Sequence, residues 1–199
     1  MKSVLISIRP QWCEKITSGK KTIEVRKNAP KEVPFKCYIY ETKGQYVKFT
    51  HGAHTKYGYG RGKVIGEFIC DKVDEYPYDY CDGVDIDDDT ILETAIDRED
   101  INIYTKGKTL YGWHISDLKI YDKPRELSEF YYCCKEMKAN EPRAGKYVSL
   151  SCYACRHNAL KRTEDYSEYN NMLGYICKRN ITRPPQSWQY VEEIKNETI

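Results

Sequence analysis

Long apolar runs are missing from this 199-residue chain. None approaches the roughly 20 residues that a helix needs to span a bilayer, so the sequence predicts no membrane partner. An export signal is missing too. In MKSVLISIRPQW the apolar stretch is very short, and Trp12 and Glu14 follow at once, which is wrong for a cleaved leader. The expectation is a soluble, cytoplasmic protein. A large net charge is also lacking: 32 Lys and Arg stand against 30 Asp and Glu, for +2. That excludes a surface coated in positive charge. Phenylalanine is scarce, with 4 copies beside 19 tyrosines. Aromatic packing therefore falls to rings with polar tips, which can fill a core or offer a stacking surface to bases. No internal repeat occurs, and an acidic run is the only biased tract.

The small net charge is segregated. Residues 1–31 hold 8 Lys and Arg against 2 Asp and Glu, or +6, and residues 71–100 hold 2 against 13, or −11. A basic N-terminal third can attract phosphate at one face. The length suits a single domain, 1–199. Within it we expect a solvated acidic segment at about 73–109 and an irregular insertion at about 138–180.

Val4–Ile8 has strand composition, and Pro10 suits the first turn of a helix that carries Trp12 and Ile16 on one face and stops at Gly19. In Thr22–Arg26, Ile23 and Val25 alternate with Thr22, Glu24 and Arg26, the period of a half-buried strand. Further strands are expected at Phe35–Tyr40, Lys63–Cys70, Trp113–Tyr121 (ended by Pro124) and Ser187–Val191. Thr42–Gly62, rich in glycine, reads as a loop. A helix is expected from about Thr90, and another over Leu127–Met137. The class is α+β, mainly β: a small closed or partly closed sheet with helices at its ends.

The polar cluster after the first helix is the candidate site. Lys20, Lys21, Thr22, Glu24 and Arg26 stand at one turn and one strand. Glu24 and Arg26 share a strand face, about 6–7 Å apart at the backbone. They can form a salt bridge that orders a wall. They can also line a cleft in which Lys21 and Arg26 hold a phosphate or a base carbonyl and Glu24 accepts from an exocyclic amine or a 2′-hydroxyl. Trp12, Trp113 and Trp188 are core candidates or a stacking platform. His51 and His54, beside Lys56 and Arg61, can touch RNA or serve acid–base chemistry.

The nine cysteines are odd in number, which disfavours a disulfide framework. Cys13, Cys37 and Cys70 read as buried thiols. Cys152 and Cys155 form a C-x2-C pair, with Cys133, Cys134, His157 and Cys177 around it. Cys134, Cys152, Cys155 and Cys177 could hold a structural zinc that staples the insertion. Plain reduced thiols, or a local disulfide or redox pair, are the alternatives.

The segment SIRPQWCEKITSGKKTIEVR resembles the signature of the ASCH domain, a branch of the PUA-like superfamily: a helix ending in Ser-Gly-X-Lys-Thr, then a strand with Glu-X-Arg. GKVIGEF and YGWHISDLKIYDKPREL are similar to later strands of that family, and RPPQSWQYVEE to the closing segment of its phage- and prophage-type members. The resemblance implies a PUA-like small β-barrel with flanking helices, here with a Cys-containing insertion. Its implied ligand is RNA or a modified nucleobase. One branch consists of amidohydrolases that deacetylate N4-acetylcytidine, and another is associated with ribonuclease activity. By that resemblance Lys21 is a catalytic position and Glu24 stands where the nucleophilic threonine does. The implied reading is a nucleobase-binding cleft, with a nucleoside- or RNA-acting enzyme as the alternative. A protein-interaction module using the acidic segment is a third reading.

Overall fold

The computed structural model describes residues 2–51, 54–132 and 180–194. The chain opens with β1 (Lys2–Ile8), α1 (Pro10–Thr17), β2 (Ile23–Arg26) and β3 (Phe35–Glu41). A hairpin follows, β4 (Gly44–His51) and β5 (His54–Gly60), then β6 (Lys63–Cys70) and β7 (Val73–Tyr76). Next come β8 (Tyr78–Asp79), β9 (Gly83–Val84), α2 (Asp88–Thr94) and α3 (Arg98–Thr105). The described chain ends with β10 (Leu110–His114), β11 (Ser116–Arg125), a 3-10 turn at Leu127–Glu129 and β12 (Trp188–Val191).

Two sheets form the body. The larger has the order β11-β6-β3-β1-β12, in which only β1 and β3 run parallel. The smaller has the order β2-β10-β7, all antiparallel. The chain passes from the larger sheet to the smaller between β6 and β7, and back between β10 and β11. Strand alternation then divides the side chains of β10. Trp113 turns toward the larger sheet and meets Phe35 and Trp188 edge-on, with ring centroids 5.1 and 5.6 Å apart. Leu110 turns the other way, into a second core with Val25, Tyr76, Ile86 and Ile101. The small sheet is thus covered on both faces, so all four residues of β2 are buried rather than alternately exposed.

Several expectations change. No closed barrel forms among the described residues, because the edge strands β2 and β12 do not pair with each other. The acidic segment is folded. Its carboxylates lie mostly at the surface, while Tyr76, Val84, Ile86 and Ile101 supply core. It holds two helices, parted by Ala95 in the left-handed region at φ 52°. Thr42–Gly62 is largely a hairpin, not a loop. Its glycines serve packing: a Cβ on Gly58 would overlap the cross-strand ring of Tyr46, and one on Gly60 would overlap the Thr42 carbonyl and Pro10. Trp113–Tyr121 is two strands in different sheets. Pro124 falls within β11, which is an edge strand, where its missing N–H is tolerated. In the described part of Leu127–Met137 the helix is reduced to a 3-10 turn, followed by isolated β-bridges at Tyr131 and Tyr132.

Candidate ligand site

Helix α1 ends at a turn whose Gly19 takes φ 73°, a conformation glycine adopts without penalty. That turn delivers Lys21 into the protein, where its side chain is fully buried. Its Nζ donates to the Ile23 carbonyl at 2.8 Å and the Thr94 carbonyl at 2.7 Å, and lies 3.3 Å from Glu24 Oε2. An ammonium has three N–H donors, so Lys21 spends all of them inside the fold. Burial pulls its pKa down, and the Glu24 carboxylate opposes that shift.

The Thr94 contact has a structural cause. Helix α2 has no basic residue in its last turn, and the final carbonyls of a helix need donors. Here they come from elsewhere: Thr22 N–H to Glu93 at 2.9 Å, Lys21 to Thr94, and Lys15 Nζ to Ala95 at 2.6 Å. The two ammonium groups also complement the negative end of the helix dipole. Both lie over the Trp12 ring, 4.6 Å (Lys15) and 5.6 Å (Lys21) from its centroid.

Glu24 stands between two cations. Arg26 Nη2 donates to Glu24 Oε1 at 2.8 Å and to the Ser7 carbonyl at 2.8 Å, which fastens β2 to β1. Glu24 and Arg26 are 6% and 8% exposed. Two buried donors on this side of the small sheet, Arg26 Nε and Trp113 Nε1, have no hydrogen-bond partner among the described residues. A buried donor left unpaired costs about 1–3 kcal/mol.

Around this core lies a wider set of groups. Burial raises the Tyr104 hydroxyl pKa, while the nearby charges of Arg26 and Arg9 lower it and Glu24 raises it. Lys27 Nζ sits 4.9 Å from the Tyr104 ring centroid. Burial lowers the Lys27 pKa, and the neighbouring cations Lys106 and Lys108 lower it further. On another flank Glu41, 8% exposed, accepts from the Arg61 backbone N–H at 2.8 Å. Burial drives up the pKa of the Cys13 thiol, and the charges of Glu41 and Glu24 add to the rise.

Of the residues singled out in the sequence, Lys21, Glu24 and Arg26 come together, whereas Lys20 and Thr22 are exposed on the turn. His54 is exposed on the hairpin. Cys134, Cys152, Cys155 and Cys177 lie outside the described residues, as does His157. Among the described residues no cluster of three or more His, Cys, Asp or Glu could hold a metal. Cys13, Cys37, Cys70 and Cys81 are unpaired thiols, the first three buried. No helix among the described residues is long and apolar enough to cross a membrane. Tyr104, Lys27, Lys106 and Lys108 escaped the sequence reading. Their only signal was the short KGK run, which nothing in the sequence ties to β2.

No family model and no curated protein matches the sequence. Among solved structures, the chain is similar to the ASCH protein of Zymomonas mobilis. One structure of it is 19% identical with a TM-score of 0.43, and the match covers 82% of this chain and 97% of that chain. A tyrosine-to-phenylalanine mutant of the same protein is 18% identical with a TM-score of 0.44, covering 81% and 97%.

Proposed function

We propose that this chain is an ASCH-type domain that binds a nucleotide, within RNA or as a modified nucleoside, at Glu24 and Arg26. The observation that carries this reading is the buried carboxylate of Glu24 beside the unpartnered Arg26 Nε donor. A base edge that offers an amine next to a carbonyl or ring nitrogen, as cytosine does, matches that pair of groups. Tyr104 supplies a ring at the edge of the site. Lys27, Lys106 and Lys108 supply positive charge for a phosphate, and no carboxylate lies within 4 Å of their ammonium groups among the described residues. Lys21 holds Glu24 in place and does not reach the ligand. The same ASCH-type reading rests on the Ser-Gly-Lys-Lys-Thr turn and the Glu-X-Arg strand that follows it.

Calorimetric titration with cytidine and with cytidine monophosphate tests this. Glu24→Gln should weaken both ligands about tenfold or more. Lys27→Gln with Lys108→Gln should weaken only the monophosphate. Equal affinities in all three proteins would refute the site.

A second reading adds chemistry at the same place. Glu24 is a buried carboxylate held between Lys21 and Arg26, placed to act as a base toward a water at the ligand. In that reading Glu24 takes a proton from a water that attacks the acetyl carbonyl of an N4-acetylated cytidine, the acetyl C–N bond breaks, and the amine leaves with that proton while Lys21 keeps Glu24 in place. Release of acetate from N4-acetylcytidine, abolished by Glu24→Gln, is its test. A protein that binds the nucleoside and leaves it intact is a binding module.

A further inference from the structure

Three cations gather at the outer end of the site. Lys27 directly follows Arg26 and turns toward α3, where its Nζ lies 4.9 Å from the Tyr104 ring centroid. Lys106 and Lys108 stand on the turn that ends α3. Arg26 is opposite Tyr111 in the antiparallel register, so the chain at 108–110 enters β10 beside Lys27. The turn itself is fixed. Gly107 takes φ 74°, the Lys108 N–H donates to Thr105 Oγ1 at 2.9 Å, and that hydroxyl donates back to the Lys108 carbonyl. Thr105 is fully buried.

Like charges brought together in this way repel. Elsewhere in the protein carboxylates offset lysines: Lys36, Lys48, Lys63 and Lys72 each pair with one. Lys27, Lys106 and Lys108 have no carboxylate within 4 Å among the described residues. Beyond burial, the charges that lower the Lys27 pKa are those of Lys106 and Lys108. The carbonyl end of α3 complements the lysines on its own turn, but Lys27 comes from another strand. The cluster is therefore short of negative charge, and the shortfall selects a ligand. A phosphodiester chain brings one charge per nucleotide, and a phosphomonoester about two. A pyrophosphate unit concentrates more charge in one compact group, which lysine ammonium groups can meet as point charges.

We infer that the ligand is a nucleoside di- or triphosphate, with its base at Glu24 and Arg26 and its phosphates on Lys27, Lys106 and Lys108. This rests on the nucleotide reading of the Glu24 site and supplies the number of phosphates that reading leaves open. Tyr104 stands between the two halves, with its ring under Lys27 and its hydroxyl within the field of Arg26 and Glu24.

Calorimetric titrations in EDTA with cytidine, cytidine monophosphate, cytidine triphosphate and inorganic pyrophosphate test the inference. The triphosphate should bind about tenfold or more tighter than the monophosphate, and pyrophosphate should bind by itself. Lys106→Gln with Lys108→Gln should remove that gain and the pyrophosphate binding, and leave cytidine unchanged. Lys119→Gln with Lys123→Gln removes the same charge from β11 and should keep both. A triphosphate no tighter than the monophosphate overturns the inference, as does an equal loss in the β11 variant, which would be an effect of net charge alone. If cytidine binds and added phosphates gain nothing, the Glu24 site stands and the inference falls. If pyrophosphate and triphosphate bind through Lys106 and Lys108 while cytidine does not bind, the Glu24 reading fails and the phosphate cluster stands. A short RNA with a 5′-triphosphate separates an RNA end from a free nucleotide as the source: binding as tight as the free triphosphate favours the end, and weaker binding the free nucleotide. The same RNA with a 5′-hydroxyl, bound as tightly as its triphosphate form, would overturn the inference in favour of phosphodiesters.

Discussion

The ammonium of Lys21 donates to the carbonyl of Thr94 at 2.7 Å, tying the turn after α1 to the end of a helix 73 residues away. That bond joins the basic N-terminal segment to the acidic one. It makes Lys21 a helix cap and a counter-ion at once, so its removal strands both a carbonyl end and the buried Glu24. We predict that Lys21→Met destabilises the fold by about 3–5 kcal/mol, the range for breaking a buried ion pair from one side. Lys21→Met combined with Glu24→Gln should cost clearly less than the sum of the two single changes. Urea denaturation of the four proteins measures this, and strict additivity would show that the pair is not coupled.

The hairpin offers a second test. A Cβ at Gly60 meets the Thr42 backbone, which cannot rotate away as a side chain would. Gly60→Ala should therefore cost about 1–3 kcal/mol through displaced backbone. It should also increase hydrogen exchange across β4 and β5. An alanine variant with parental stability and exchange would mean that the hairpin does not seat on Pro10 as described.

Alkaline pH should weaken the fold through its buried thiols. Burial raises Cys13, Cys37 and Cys70 above their usual value of 9.0, Cys70 to about 12. Above pH 9 the unfolded chain releases thiol protons that the folded chain retains, so stability falls as pH rises, beginning near pH 9. Each thiol contributes a slope of up to about 1.4 kcal/mol per pH unit. Lys21, lowered by burial, acts in the opposite sense with a single proton, and three thiols outweigh it. Urea midpoints from pH 8 to 10, in reductant, should fall, and Cys70→Ala should flatten the slope. A midpoint unchanged across that range would contradict the burial of these thiols.

Structure was legible in the sequence where local pattern decides it. Val4–Ile8, Phe35–Tyr40 and Lys63–Cys70 announced their strands by composition, and Pro10 and Gly19 bracketed α1. It was not legible where a distant partner decides. Glycines in 52–62 signalled freedom, yet Gly58 and Gly60 are there to admit a tyrosine ring and a proline. Aspartates in 71–100 signalled solvation, yet Tyr76, Ile86 and Ile101 among them build a core. The Glu24–Arg26 pair was legible from strand spacing. The burial of Lys21 was not, because Thr94 lies 73 residues on. Nor was the approach of Tyr104 and Lys27, which depends on how α3 lies beside β2.

The central claim is that Arg26 Nε donates to a bound nucleobase beside Glu24. Nitrogen-15 correlation spectra of the arginine Nε–H groups, assigned by loss of one signal in Arg26→Lys, follow that atom directly as cytidine monophosphate is added. The expected result is a saturable shift of the Arg26 signal, with a parallel shift at the Tyr104 ring. An Arg26 signal that stays put while ligand reaches millimolar concentration would contradict the site.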